Sequence, residues 1–331
     1  MMNTGAYFSG PFSPMCELFV TQKRAIGLKY EQQAMLLRMF DNFSKNYPVD
    51  NFTITEELAL AWSKKKPNEA EISRHCRIEE MQRFGNFLIS HGYSSYLPPP
   101  HIKPQHLHVP YIFTHEEMRR IFEYLNKLEP TSASPLMHLS IPALIKILYG
   151  CGLRISEATA LRVVDVDLKK GILHIQHGKN DRERLVPMSE SLTAICQKYA
   201  AQALAGMDEN APFFYNRKKE PYCKKDFSKR FRTILWDVGI PYYGKERGPR
   251  LHDLRHTFAC HRLNKWAEEN TDINAMLPVL AAYLGHSSIT GTYYYLRLTS
   301  EVYPHIISKL ETRLGSVFPR LAEFQGEPCD E

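Results

Sequence analysis

Residues 152–188 read GLRISEATALRVVDVDLKKGILHIQHGKNDRERLVPM, and within them a helical chain gives way to strands. Val163 to Val166, Gly171 to Gln176 and Arg184 to Pro187 carry strand signals, with Gly178, Asn180 and Asp181 as turn residues between the last two. Helical patterns flank the stretch on both sides. Upstream, Thr114 and Glu117 have the spacing of a capping box ahead of an apolar-periodic run to Leu128. A second helix is expected from about Pro135 to Tyr149, and a third from near Ile155. Downstream, helices are expected over 189–204, 224–238, 251–266, 273–284, 289–296 and 301–314. The fold class is mainly α with a small antiparallel β-sheet, an α+β arrangement.

The first hundred residues read as helices alone, over 14–27, 31–46, 55–65 and 69–91. Met35, Met39, Phe40 and Phe43 mark the apolar face of the second; Ile78, Met81, Phe84 and Leu88 mark that of the fourth. Thr53 and Glu56 fit a capping box for the third, and Gly92 sits at a C-terminal cap of the fourth. Tyr93 to Phe113 then holds five prolines, which forbid continuous helix and favour an extended connector. The expected division is an N-terminal helical bundle over 1–97, a proline-rich linker over 98–113 and a second domain over 114–331. Lys64, Lys65, Lys66, Arg74, Arg77 and Arg83 crowd the second half of the bundle, either as a track for a phosphate backbone or as a solvated helix face.

At 331 residues the chain exceeds one typical core of about 100–150 residues and suits two domains. With 44% hydrophobic and 24% charged residues, a disordered tail is excluded. A net charge of +6 suits a polyanionic partner without demanding one. The seven cysteines are scattered, with no C-x-x-C pair, and read as reduced thiols of a cytoplasmic protein. Lys146 interrupts the best apolar stretch, Ile141 to Leu148, far short of the ~20 residues that span a membrane, so no membrane partner is expected. His101, His106 and His108 lie along the proline-rich strap without cysteine or carboxylate neighbours in sequence, so they read as linker residues and no metal is expected.

Phosphate-loop, nucleophile-elbow, zinc-protease and dinucleotide-binding signatures are all missing. What remains is a spaced set of cations and imidazoles. Arg154 stands in GCGLRISEATAL, Lys179 in HGKNDRER, His252 and Arg255 in LHDLRHTFAC, and His286 in YLGHSSI, followed by Tyr293-Tyr294-Tyr295. Each alone has a bland explanation as a surface charge or an interior histidine. Together they cannot share an interior without an anion to neutralise them, and a phosphate serves. His252 and Arg255, three apart on an expected helix, project from one face. Two arginines can grip the non-bridging oxygens of a phosphodiester and stabilise the charge that develops at pentacoordinate phosphorus, replacing a metal pair. A tyrosine with an ordinary pKa of about 10 needs that field and a proton acceptor such as His252 to attack. Lys179 on a hairpin tip can protonate the leaving oxygen.

The boxes GLRISEATALRVVDVD, HGKNDRERLVPM, LHDLRHTFA and LGHSSITGTYYYL resemble, in order, those of the tyrosine recombinase family, the phage integrases and Xer-type recombinases. The resemblance covers about Phe113 to Leu314; the helical first domain is similar to that family's core-binding domain in layout only. It implies a C-shaped clamp on double-stranded DNA, cleavage through a 3′-phosphotyrosine link, and a homo-tetrameric synapse with no cofactor, neither ATP nor metal. It implies a function in site-specific recombination, as the integrase or transposase of a mobile element. Arg154 and Lys179 match the first arginine and the hairpin lysine, His252 and Arg255 the H-x-x-R pair, and His286 the histidine of the L-G-H box. The nucleophile falls at Tyr295, nine residues past His286, with Tyr294 the alternative. Glu157 resembles the supporting acid that orients the site.

On a helix from Ile289, residues Ile289, Tyr293 and Leu296 form one stripe, which makes Tyr293 core and leaves Tyr295 about 240° around from Ile289. Two departures stand out. The stretch between Arg255 and His286 is longer than is common in the family, and Thr-Gly-Thr replaces the usual threonine pair before the nucleophile. The segment EVYPHIISKLETRL is amphipathic, either packing on its own domain or exchanged with a neighbouring subunit. Two rival functions remain: a type IB topoisomerase, and a DNA-binding regulator that keeps the fold without the chemistry.

Overall fold

The computed structural model describes residues 8–101, 109–132, 135–176, 183–242, 244, 248–286 and 290–302. It divides into two compact units, residues 1–107 and 108–331. Among the described residues it is mainly helical with one small antiparallel sheet, as the sequence predicts.

The first unit packs α1 (Ser13–Ala25), α2 (Glu31–Ser44), α3 (Glu56–Ser63) and α4 (Glu71–Ser90) around an aromatic core. Phe12, Phe19, Phe40, Trp62 and Phe84 are all buried there, with Phe40 edge-on to Trp62 at 5.4 Å. Asp41 is buried too, accepting the amides of Gly10 (2.7 Å) and Phe12 (2.9 Å) that precede α1. That inward carboxylate rotates α2 away from the expected face: Ala34, Leu37 and Phe40 are buried, while Met35 and Met39 are exposed. The cap of α3 is Thr55, not Thr53; its hydroxyl accepts the Leu58 amide at 3.2 Å. Gly92 follows α4 with φ +85°, the conformation expected of a capping glycine.

One of the six cations assigned to a phosphate track must be withdrawn. Arg77 is buried at 2% exposure, donates to both carboxylate oxygens of Glu69 at 2.9 Å, and lies 4.7 Å over the Trp62 ring. A guanidinium paired and stacked inside the bundle is structural.

The second unit begins with α5 (His115–Asn126), where Thr114 and Glu117 form the expected reciprocal capping box. After α6 (Met137–Gly150) and α7 (Ile155–Ala160) comes a sheet in the order β1 (Val166–Asp167), β2 (Ile172–Ile175), β3 (Arg184–Pro187), antiparallel throughout. The strand expected over 163–166 is mostly a 3-10 turn at Val163–Asp165. The Asp165 carboxylate accepts the Arg162 amide at 2.9 Å and winds the backbone there.

The remaining helices are α8 (Glu190–Ala203), α9 (Lys224–Asp237), α10 (Asp253–Glu268), α11 (Ile273–Leu284) and α12 (Thr290–Val302). The last runs through 297–300, where a break was expected. One core joins α5 to α9 and the sheet; a second draws α10, α11 and α12 together through Phe258, Leu263, Leu277, Leu284 and Leu296. No described helix is long and apolar enough to cross a membrane.

Candidate active site

The site is assembled from the ends of elements. Gly152 has φ +59°, and a Cβ there would lie 2.6 Å from Phe258 and 2.7 Å from Leu284, so only glycine lets this loop meet α10 and α11. The Gly152 carbonyl in turn accepts from Arg255 Nη1 at 2.8 Å. Arg255 projects from α10 at 1% exposure, and its Nη2 donates to the Leu284 carbonyl at 2.8 Å. Burial depresses the Arg255 pKa, while a hydrogen bond and charge interaction with Tyr295 counteract it.

Two residues beyond Gly152, Arg154 caps the start of α7 and is partly exposed. Glu157 accepts its amide (2.9 Å) and its Nη1 (2.9 Å). Burial alone would raise the Glu157 carboxyl, but the hydrogen bonds and charge of Arg184, with the Arg154 amide and Arg255, hold it down at about 2. Glu157 is therefore an ionised interior group rather than a surface charge.

His252 stands at the start of α10 and His286 just after α11. Burial and the neighbouring charges of Arg255 and Arg154 depress both imidazoles to about 3. Both are neutral near pH 7. His286 Nδ1 shares a 2.8 Å hydrogen bond with the Thr292 hydroxyl of α12. Its ring stacks on Tyr295 with centroids 5.7 Å apart and planes 16° from parallel. His256 fills the space beyond, 4.7 Å from the His252 ring and 5.5 Å from Tyr295.

The structure thus brings Arg154, Glu157, His252, Arg255, His286 and Tyr295 into one cluster. Lys179 lies outside the described residues. The faces of α12 are reversed from expectation: Tyr295 is 1% exposed and Tyr293 38%. The inward stripe is Thr292, Tyr295, Leu296 and Thr299, at i, i+3, i+4 and i+7, because Thr292 meets His286 and Tyr295 meets Arg255. The rival Tyr294 is partly buried, its ring 6.4 Å from His256.

Two of the cluster's contacts escaped the sequence reading. Thr292 was noticed only as part of Thr-Gly-Thr, and its hydrogen bond to His286 was not foreseen. Arg184 did leave a trace: in β3 it alternates with exposed Leu185 and shares the inward face of buried Val186.

The bundle's cations sit apart from this cluster in the sequence, on α4 and on the connection that leads to it from α3. Lys65 pairs with Glu71 at 2.6 Å, Arg83 with Glu79 at 2.6 Å, and Arg74 Nε donates to the Ser63 carbonyl at 2.9 Å. Lys66 lies 4.7 Å over the Trp62 ring, and Lys64 is exposed. His101 Nε2 lies 3.7 Å from Glu71, and its carbonyl oxygen lies 2.8 Å from His75 Nδ1. His106 and His108 are outside the described residues.

A tyrosine against an arginine, flanked by two neutral histidines in a mainly helical unit with a three-stranded sheet, defines the tyrosine-recombinase class of fold and site. The model described as the phage integrase family matches residues 112–301, and the chain belongs to that family. It is 27% identical over 310 residues to the putative integrase/recombinase y4rB of Sinorhizobium fredii, covering 91% of this chain and 98% of that one. It is 26% identical over 293 residues to tyrosine recombinase XerD of Oceanobacillus iheyensis, covering 86% and 88%. In fold it is similar to the Tn1549 transposon integrase in complex with transposon right end DNA, at TM-score 0.60 and 18% identity over 91% of this chain and 99% of that one. It is likewise similar to XerH site-specific recombinase bound to palindromic difH substrate, at TM-score 0.59 and 19% identity over 89% and 83%.

Proposed function

We propose that this protein is a site-specific DNA recombinase that cuts and rejoins double-stranded DNA through a 3′-phosphotyrosine intermediate. The observation that carries the reading is the contact between Tyr295 and Arg255, with Arg154, His252 and His286 in the same cluster.

Arg154 and Arg255 bind the non-bridging oxygens of the scissile phosphodiester and stabilise the charge of the pentacoordinate state. His252, held neutral, accepts the Tyr295 proton as its oxygen attacks phosphorus and the P–O bond to the 5′-oxygen breaks. Lys179 delivers a proton to that leaving oxygen. His286 supports the phosphate and the Tyr295 ring, and Glu157 fixes Arg154. Attack by another strand's 5′-hydroxyl reverses the step and releases the tyrosine, so the bond energy is conserved and no ATP is consumed.

The first unit binds the duplex through Lys64, Lys65, Lys66, Arg74 and Arg83, several of which exchange a carboxylate for a phosphate. A homo-tetramer on synapsed DNA completes two strand exchanges, with the C-terminal segment, which lies outside the described residues from 303 onward, exchanged between subunits. The names of relatives, a putative integrase/recombinase and a transposon integrase, favour a mobile element as the carrier. The setting is the cytoplasm, on DNA.

The test is covalent selection. Purified protein is incubated with a randomised library of nicked duplexes, and DNA that stays attached after denaturation is sequenced. A recovered consensus joined to Tyr295 through its 3′-phosphate is the expected result. DNA bound but never covalently attached would leave a regulator, and capture at any sequence by a monomer would leave a topoisomerase-like relaxing enzyme.

A further inference from the structure

Around the site, one side chain outside the set just assigned ties three of its parts together. Arg184 opens β3, and its side chain is about 10% exposed. Its Nη1 donates to Glu157 Oε1 at 3.1 Å and its Nη2 to Glu157 Oε2 at 2.9 Å. Its Nε donates to the Tyr283 carbonyl at 3.0 Å, in the last turn of α11. We propose that Arg184 is a positioning residue for strand transfer, gripping Glu157 so that Glu157 holds Arg154, and fixing the end of α11 so that His286 faces the phosphate. This rests on the recombinase reading above.

The hydrogen-bond geometry is reciprocal. Each Glu157 oxygen accepts once from Arg154 and once from Arg184: Oε1 from the two Nη1 atoms, Oε2 from the Arg154 amide and Arg184 Nη2. The carboxylate is a bridge, and a bridge released at one end no longer fixes the other. Removing Arg184 takes away the largest of the effects that oppose burial, so the Glu157 carboxyl rises, and a protonated Glu157 cannot bind a guanidinium by charge.

At the other end, α11 leaves carbonyls without helical partners. Those of Tyr283 and Leu284 are taken by Arg184 and Arg255, which also suits the negative pole of the helix. The next residue, Gly285, turns at φ +70°, and a Cβ on it would stand 2.8 Å from Arg184 Nη1. His286 follows directly, so the arginine plane is the floor on which its backbone turns. A lysine supplies the charge but not the planar fork that meets two carboxylate oxygens and a carbonyl at once.

The experiment uses the full chain and a nicked duplex recovered by the covalent selection, reading single-turnover capture against pH together with duplex affinity. Arg184→Ala is expected to slow capture about 10- to 100-fold while duplex affinity is kept. Its acid limb moves to higher pH than the wild type's as Glu157 gains a proton. Adding Glu157→Gln removes that displacement, and Arg184→Lys restores the pH profile without the full rate. A wild-type rate in Arg184→Ala, or a slow rate with an unmoved profile, overturns the proposal. If Arg184→Ala does not fold, Arg184→Lys decides: a reduced rate at an unchanged melting temperature supports it, and a wild-type rate overturns it. Wild-type protein that never captures DNA defeats the recombinase reading, and this inference with it. Capture by wild type and Arg184 variants alike defeats this inference alone.

Discussion

Tyr295 is more deeply buried than its two neighbours because its oxygen and ring answer to Arg255 and His286 rather than to apolar packing. Tyr295→Phe is therefore expected to keep duplex binding and abolish covalent capture on a denaturing gel, while Tyr294→Phe keeps both; capture surviving in Tyr295→Phe moves the nucleophile. Glu157 invites a stability measurement. Glu157→Gln removes the charge facing two guanidinia, a broken buried pairing that costs about 3–5 kcal/mol, read as a lowered urea midpoint. An unchanged midpoint would make the bridge a surface pairing. For Lys179, whose role rests on its box alone, Lys179→Ala is expected to impair cleavage at an ordinary 5′-oxygen far more than at a 5′-bridging sulfur, which leaves without protonation. Equal losses remove it as the acid. Arg154, His252, Arg255 and His286 could be picked out because the sequence carries them as a spaced set of cations and imidazoles, in boxes that resemble those of the family, and such a set needs an anion. Arg184 was not, because its partner is a carboxylate 27 positions earlier that only the fold brings near.

Local chemistry explains which elements could be read. The Thr114 and Glu117 box lies wholly within one helical turn, and it forms as read. Over 163–166 the β-branched residues pointed to a strand, but Asp165 reaches back to the Arg162 amide and winds the chain, and the Val163 and Val164 amides bond to the Ala211 and Glu209 carbonyls. On α2 and α12 the period was right and the phase wrong. A buried Asp41 in one and a histidine-bound Thr292 in the other set the face, and apolarity alone does not reveal such polar anchors. The junction of α11 and α12 yields a prediction at this scale. Gly285→Ala forces a side chain into the left-handed region, costing about 1–2 kcal/mol, and pushes on the Arg184 guanidinium. It is expected to lower the melting temperature modestly and covalent capture severely, with duplex affinity less affected. Capture that falls no more than stability would separate this turn from the chemistry.

Between pH 7 and pH 5 the buried histidines of the second unit and the buried Glu80 of the first respond to acid with opposite sign. In the second, burial and neighbouring arginines hold His252 and His286 at about 3, and burial beside His115 holds His261 at about 4, against an ordinary 6.5. The unfolded chain takes up these protons and the folded one refuses them, so their contribution is whole above about pH 6.5 and is lost as pH falls toward 3. In the first unit, burial raises the Glu80 carboxyl above its ordinary 4.5. Its contribution runs the other way, complete below pH 4.5 and lost as pH rises through the folded value. Lowering the pH from 7 to 5 therefore weakens the second unit while Glu80 takes nothing from the first. Hydrogen exchange, corrected for its intrinsic pH dependence, is expected to show α10 amides losing protection as α4 amides keep theirs. Bound duplex should blunt the loss, because a phosphodiester beside Arg154 and Arg255 offsets the charges that depress the two histidines and stabilises the folded state that binds it. Equal acid sensitivity with and without duplex would mean that the anion sits elsewhere.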